Sequence, residues 1–151
     1  MQCTSAYPSK FNEIDLNVIK TFQKKYKYPI GYSGHEPGFH VPLAAVAIGA
    51  KVIEKHVTLN KKMNGTDHQA SINMKELAEM VKCIRDVEQA LGSENKKKHE
   101  SENVLINILG KSLATVKALK AGSRISKTMI TSKGPPEGIA SSEFYKILGK
   151  K

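Results

Sequence analysis

His35 and His56 are the side chains of this sequence best placed to do chemistry. Each stands near the end of a short, strand-like segment, 29–33 and 51–59, and each leads into a loop. If the two segments are neighbouring parallel strands, both imidazoles reach one rim and can share a metal ion. Neutral imidazole suits manganese, iron, cobalt or zinc, whereas a hard magnesium site favours oxygen ligands. Two protein ligands leave coordination positions open for water and a substrate oxygen, so such an ion polarises a carbonyl rather than only bracing the fold. The competing reading makes His35 a polar loop residue and His56 a buried histidine bonded to its neighbours.

Glu36, Asp67 and His68 complete the candidate constellation. Asp67 is suited to orienting a water or holding a sugar hydroxyl, and His68 to moving a proton near neutral pH; either can equally cap a loop. Ser33 and the backbone at Gly34 offer contacts to an oxyanion or phosphate. Lys51, Lys55, Lys61 and Lys62 gather around these positions in sequence and can draw in an anion, although solvent exposure accounts for most of them. Gly31-x-x-Gly34-x-x-x-Gly38 is neither a dinucleotide fingerprint nor a Walker loop.

The elements that must position these groups follow from periodicity. Leu16, Ile19, Phe22 and Tyr26 recur at helical spacing over 15–27. Pro42 opens a nearly all-apolar helix that Gly49 ends. With a strand remnant at 1–5, the chain reads strand, helix, strand, helix, strand, the order that packs helices over a parallel sheet. After a polar loop at 60–71, Asn73 and Glu76 make a capping box for a helix that carries Leu77, Val81, Ile84, Val87 and Leu91 on one stripe and stops at Gly92. Residues 93–103 lack apolar anchors and read as a connector. Beyond them short apolar pieces, interrupted by Gly110, Gly122, Gly134 and Pro135-Pro136, predict a compact module of short strands and turns, with a small helix at 141–148. The expected boundaries are therefore 1–92, 93–103 and 104–151.

Composition narrows the function classes. The 151 residues and 40% hydrophobic content support a real core but fall short of the about 250 residues of a complete eight-unit barrel. No apolar run approaches the roughly 20 residues of a membrane span, and no leader is evident at the start, so a cytoplasmic setting is expected. Cys3 and Cys83 form no metal knuckle and no disulfide framework. The formal charge of +10 includes Lys96-Lys97-Lys98, yet no aromatic platform or recognition helix accompanies that run, which argues against a nucleic-acid partner.

Four stretches carry a family resemblance: residues 2–8 (QCTSAYP), 31–36 (GYSGHE), 54–59 (EKHVTL) and 65–71 (GTDHQAS). In this order they resemble the sialic acid synthase family, and the resemblance resumes from Gly110 to Lys151. It implies an α/β fold made of about the last three β/α units of a (β/α)8 TIM barrel, then a truncated β-clip module of the SAF, antifreeze-like type. It implies a transferase condensing phosphoenolpyruvate with N-acetylmannosamine or its 6-phosphate and releasing phosphate. On that resemblance His35 and His56 ligate a divalent metal, Mn2+ or Mg2+, Ser33 contacts the phosphoenolpyruvate phosphate, and Tyr7, Asp67 and Ser5 face the amino sugar, while Glu36 influences proton placement. It also implies a homodimer, in which an arginine of the second module reaches the partner's site. Here 133–139 holds Lys133 and no arginine, and lysine lacks the planar bidentate grip. The missing barrel strands imply that these 151 residues alone have no synthase activity; the alternative is an inactive fragment that binds or mimics a full-length synthase subunit.

Overall fold

Strands and helices alternate through the first part of the chain, as the sequence pattern requires. The computed structural model describes residues 1–151, and they divide into two compact units, Met1–Glu94 and Asn95–Lys151. In the first unit the order is β1 (Gln2–Cys3), α1 (Val18–Lys25), β2 (Gly31–Gly34), α2 (His40–Ala47), β3 (Val52–Lys55), α3 (Asp67–Ala70) and α4 (Met74–Leu91). The three strands are parallel, in the order β1-β2-β3, and the sheet is unclosed. It is part of a TIM-barrel-like layer, as expected.

Side-chain alternation decides what each face of this sheet does. Register pairs Tyr32 with Ile53 and Ser33 with Glu54. Ile30, Tyr32 and Ile53 point to the helices, where Ile14, Ile19, Ala45 and Ala50 complete the core and Leu16, Phe22, Val41 and Ile48 pack around it. Ile19 has no exposed surface, which is why α1 lies where it does. The helix starts later than its pattern suggests because Asp15 takes a left-handed backbone (φ 52°) and turns the chain first. Gly49, at φ 101°, ends the turn after α2 in a conformation that favours glycine.

β3 covers only the first half of the expected 51–59 strand. Past Lys55 the chain leaves β2 and makes a single parallel bridge between Val57 and Ile72. Thr58 N–H donates to Ile72 O at 2.8 Å, and Ile72 N–H to His56 O at 2.9 Å. The loop expected at 60–71 contains the one-turn helix α3.

The capping box of α4 forms in full: Asn73 Oδ1 accepts from Glu76 N–H at 2.9 Å, and Glu76 Oε2 from Asn73 N–H at 2.8 Å. Met80 is the buried residue of this helix, while Val81 and Leu91 on its apolar stripe stay exposed. α4 packs on α2, and the stripe is wider than that contact. Lys61 Nζ lies 2.6 Å from Glu76 Oε1, and this bond, followed by the Asn73 N–H, holds the Glu76 carboxyl below its usual range. A depressed carboxyl stabilises the fold above its unfolded pKa of about 4.3 and loses that contribution as pH falls through the lower folded value. Both partners are about one-third exposed, so screening keeps the gain under about 1 kcal/mol. Glu76→Gln, which preserves the box, is expected to lower the thermal midpoint slightly at pH 7 and to converge on wild type as the pH falls through the lowered folded pKa of Glu76.

The second unit is built around an antiparallel pair, β4 (Ser112–Thr115) and β5 (Ile130–Lys133), with Ser112 also bridged to Ala140. Helices α5 (Asn103–Leu109) and α6 (Phe144–Ile147) flank it in sequence. The small antiparallel sheet and the helix inside 141–148 match the expected module. Residues 100–109 differ: they are helical where a connector and a short strand were expected. His99 N–H donates to Glu102 Oε2 at 2.6 Å, which caps the first turn, and Gly110 ends α5. Capping therefore overrides the strand-like composition of Val104, Leu105, Ile106, Ile108 and Leu109, and leaves these side chains exposed.

Candidate active site

Alternation continues past the ends of β2 and β3, so His35 and His56 fall on the same side of the sheet as Ser33 and Glu54. Their ring centroids are 5.2 Å apart at an interplanar angle of 53°. Tyr7 closes the cluster from the loop after β1, its ring 4.1 Å from His35 and 5.7 Å edge-on from His56. His35 is buried, His56 half-buried and Tyr7 exposed.

A backbone bond fixes the His35 ring. His35 Nδ1 stands 2.8 Å from Thr4 O, and a carbonyl only accepts, so Nδ1 carries the proton and Nε2 keeps a free lone pair. Cys3 Sγ lies 4.0 Å from the same nitrogen. A ligand ring centre stands about 3.2 Å from an ion bound at about 2.1 Å by its Nε2, so two such rings can be separated by up to roughly 6.4 Å. The observed separation fits two imidazoles on one ion. No group of three or more His, Cys, Asp or Glu side chains gathers to hold a metal.

The remaining candidates divide. Ser33 Oγ donates to Glu54 Oε1 at 2.6 Å, directly across the register. Sequence reasoning misses Glu54, although 54 and 56 share a face by simple alternation. His68 Nδ1 is 2.8 Å from Thr58 Oγ1, a hydroxyl in a buried residue. Asp67 is exposed and accepts from Thr66 Oγ1 at 3.1 Å, and Ser5 is exposed on the loop after β1. No bond or ring contact ties Ser5, Asp67 or His68 into the three-ring cluster.

Glu36 points the other way. It has no exposed surface; Tyr32 Oη donates to its Oε2 at 2.7 Å, and Lys55 Nζ stands 3.3 Å from its Oε1 and donates to its main-chain carbonyl. The two charged side chains are 0% and 1% exposed. Burial pushes the Lys55 ammonium below its usual range while Glu36 pulls it back up, and burial together with the carboxylate raises the Tyr32 phenol. Lys55 is thus no surface lysine: it is consumed by an internal pair on the helix side of the sheet.

A parallel β/α layer that presents side chains at the C-terminal ends of its strands is the architecture of (β/α) barrels. Within that class the chain belongs to the NeuB family, whose profile matches residues 1–96. It is 43% identical over 150 residues to N,N'-diacetyllegionaminic acid synthase of Campylobacter jejuni, covering 99% of this chain and 45% of that protein. It is 44% identical over 153 residues to human N-acetylneuraminate-9-phosphate synthase, covering all of this chain and 43% of the human protein. A crystal structure of the N-acetylneuraminic acid (sialic acid) synthetase of Leptospira borgpetersenii, in complex with citrate, superposes with a TM-score of 0.61 at 39% identity, covering 70% of this chain and 37% of that one. The chain thus spans less than half the length of these relatives. No helix is long and apolar enough to cross a membrane.

Proposed function

We propose that this chain carries the metal and amino-sugar half of a sialic acid synthase site, for condensation of phosphoenolpyruvate with N-acetylmannosamine or its 6-phosphate. The observation that carries the reading is the three-ring cluster of Tyr7, His35 and His56, with one imidazole tautomer fixed by Thr4. His35 and His56 would hold a divalent ion, Mn2+ in preference to Mg2+ because the ligands are nitrogen. Such an ion supplies Lewis-acid polarisation of the sugar carbonyl. Tyr7 offers its ring and hydroxyl to the sugar beside the imidazoles, with Ser5 and Asp67 on the loops around it. Ser33 offers a hydroxyl to the phosphate, and Glu54 fixes where that hydroxyl points. His68, whose Nδ1 lies 2.8 Å from Thr58 Oγ1, would offer its far nitrogen for proton exchange.

In this reading 104–151 is a truncated SAF-type module, 93–103 the segment leading into it, and the setting cytoplasmic. The two open edges of the three-stranded sheet favour a second role, association with another copy or with a full-length synthase subunit through strand pairing. For the same reason synthase activity from these residues alone is expected to be absent. Phosphate release that requires both substrates and Mn2+ would overturn that expectation.

Metal binding is the direct test. Titration of the purified chain with Mn2+, followed by electron paramagnetic resonance, is expected to show one site. His35→Ala and His56→Ala are each expected to weaken it at least 100-fold, on the order of two pKa-sized steps or about 2.7 kcal/mol. Equal Mn2+ uptake by wild type and both variants would dismiss the reading.

A further inference from the structure

The two candidate metal ligands each have a charged neighbour in sequence: His35 is followed by Glu36, and His56 is preceded by Lys55. Alternation sends the imidazoles to one side of the sheet and the charges to the other. On one side the rings face each other at 5.2 Å; on the other, Lys55 Nζ meets Glu36 Oε1 at 3.3 Å.

The backbone around the histidines makes this pairing consequential. The last rung between β2 and β3 joins Gly34 to Lys55. Beyond it the backbone bonds of the two histidines lead apart, because His35 O accepts from Ser9 N–H at 3.1 Å and His56 O from Ile72 N–H at 2.9 Å. Each histidine is therefore held from its outer side. Lys55 spans the gap twice, bonding the Glu36 carboxylate and the Glu36 main-chain carbonyl, and Tyr32 holds the second carboxylate oxygen. A buried ion pair is weak evidence of stabilisation, since well-packed neutral residues commonly do as well. Its location behind the two ligands points to geometry instead.

We propose that Glu36 and Lys55 are positioning residues, whose buried pair clasps the two strand ends past their last rung and so sets the separation of His35 and His56. The proposal rests on the reading of those imidazoles as metal ligands. Groups that orient ligands from behind change metal affinity by about 10- to 100-fold when lost.

The test is the double variant Glu36→Gln/Lys55→Met in the full 151-residue chain, which removes both charges at once and leaves none buried alone. Two readouts are taken: Mn2+ affinity by electron paramagnetic resonance, and the imidazole nitrogen-15 spectrum of the metal-free protein with the cross-relaxation between the two rings. A folded double variant is expected to bind Mn2+ about 10- to 100-fold more weakly, with weakened cross-relaxation between His35 and His56. Wild-type affinity together with unchanged ring signals would overturn the clasp. A wild-type chain that takes up no Mn2+ would remove the metal reading, and the clasp then stands or falls on the metal-free ring signals alone. Should the double variant lose its cooperative melt, Tyr32→Phe, which removes one hydroxyl from the carboxylate, is expected to move both readouts in the same direction by less; no movement in either would overturn the proposal.

Discussion

Lys55→Met is expected to destabilise the first unit by about 3–5 kcal/mol, read as a lower urea midpoint at an unchanged slope. The side chain is 1% exposed and supplies both a charge and a donor to Glu36, whose own side chain is 0% exposed. Without it the carboxylate keeps only the Tyr32 hydroxyl in a place closed to water. Methionine fills much of the lysine stem's volume, so the loss is electrostatic rather than a cavity. Against a total stability of about 5–15 kcal/mol, this takes away a large share. The second step of the same experiment is more discriminating. Adding Glu36→Gln to Lys55→Met removes the stranded charge, so the double variant is expected to be more stable than the single one. A Lys55→Met chain within about 0.5 kcal/mol of wild type, the range of surface substitutions, would show that water reaches the pair.

That pair also marks the limit of what the sequence discloses. The alternating elements, the 73–76 capping box and the glycine stop after α4 rest on local chemistry, and local chemistry is what a sequence displays. The shared side of His35 and His56 follows from two-residue periodicity, once their strands are taken as parallel neighbours. Glu54 follows from the same periodicity, since 54 and 56 share a face, but its bond to Ser33 needs the β2–β3 register as well. Lys55 was not legible in this way: a lysine next to a loop is ordinarily solvated, and only the register of β2 against β3 brings a buried carboxylate to it. The helix at 103–109 depends on a cap between His99 and Glu102 in a stretch that otherwise reads as solvated linker. The shortness of β3 depends on Ile72, a residue 16 positions past His56, pulling the chain off the β2 edge.

Gly34→Ala extends the argument to a position whose glycine has no conformational reason. It does not occupy a left-handed backbone, unlike Gly38 at φ 76° or Gly49. What a methyl would meet there is space already taken: an added Cβ falls 2.8 Å from both Glu36 carboxylate oxygens and 2.8 Å from Tyr32 Cε1. The carboxylate is tied to Lys55 and Tyr32 and cannot swing aside as a free side chain would. Overpacking a core costs about 1–3 kcal/mol, and here relief requires breaking the ion pair, so the expected loss rises toward the about 3–5 kcal/mol of an uncompensated buried charge. The variant is also expected to weaken Mn2+ binding, since the displaced carboxylate is bonded to Lys55, on the strand end that carries His56. Combining it with Lys55→Met identifies the cause. If the methyl acts by displacing Glu36, the two losses overlap and the combination costs clearly less than their sum, whereas additivity within about 0.5 kcal/mol would place its effect elsewhere.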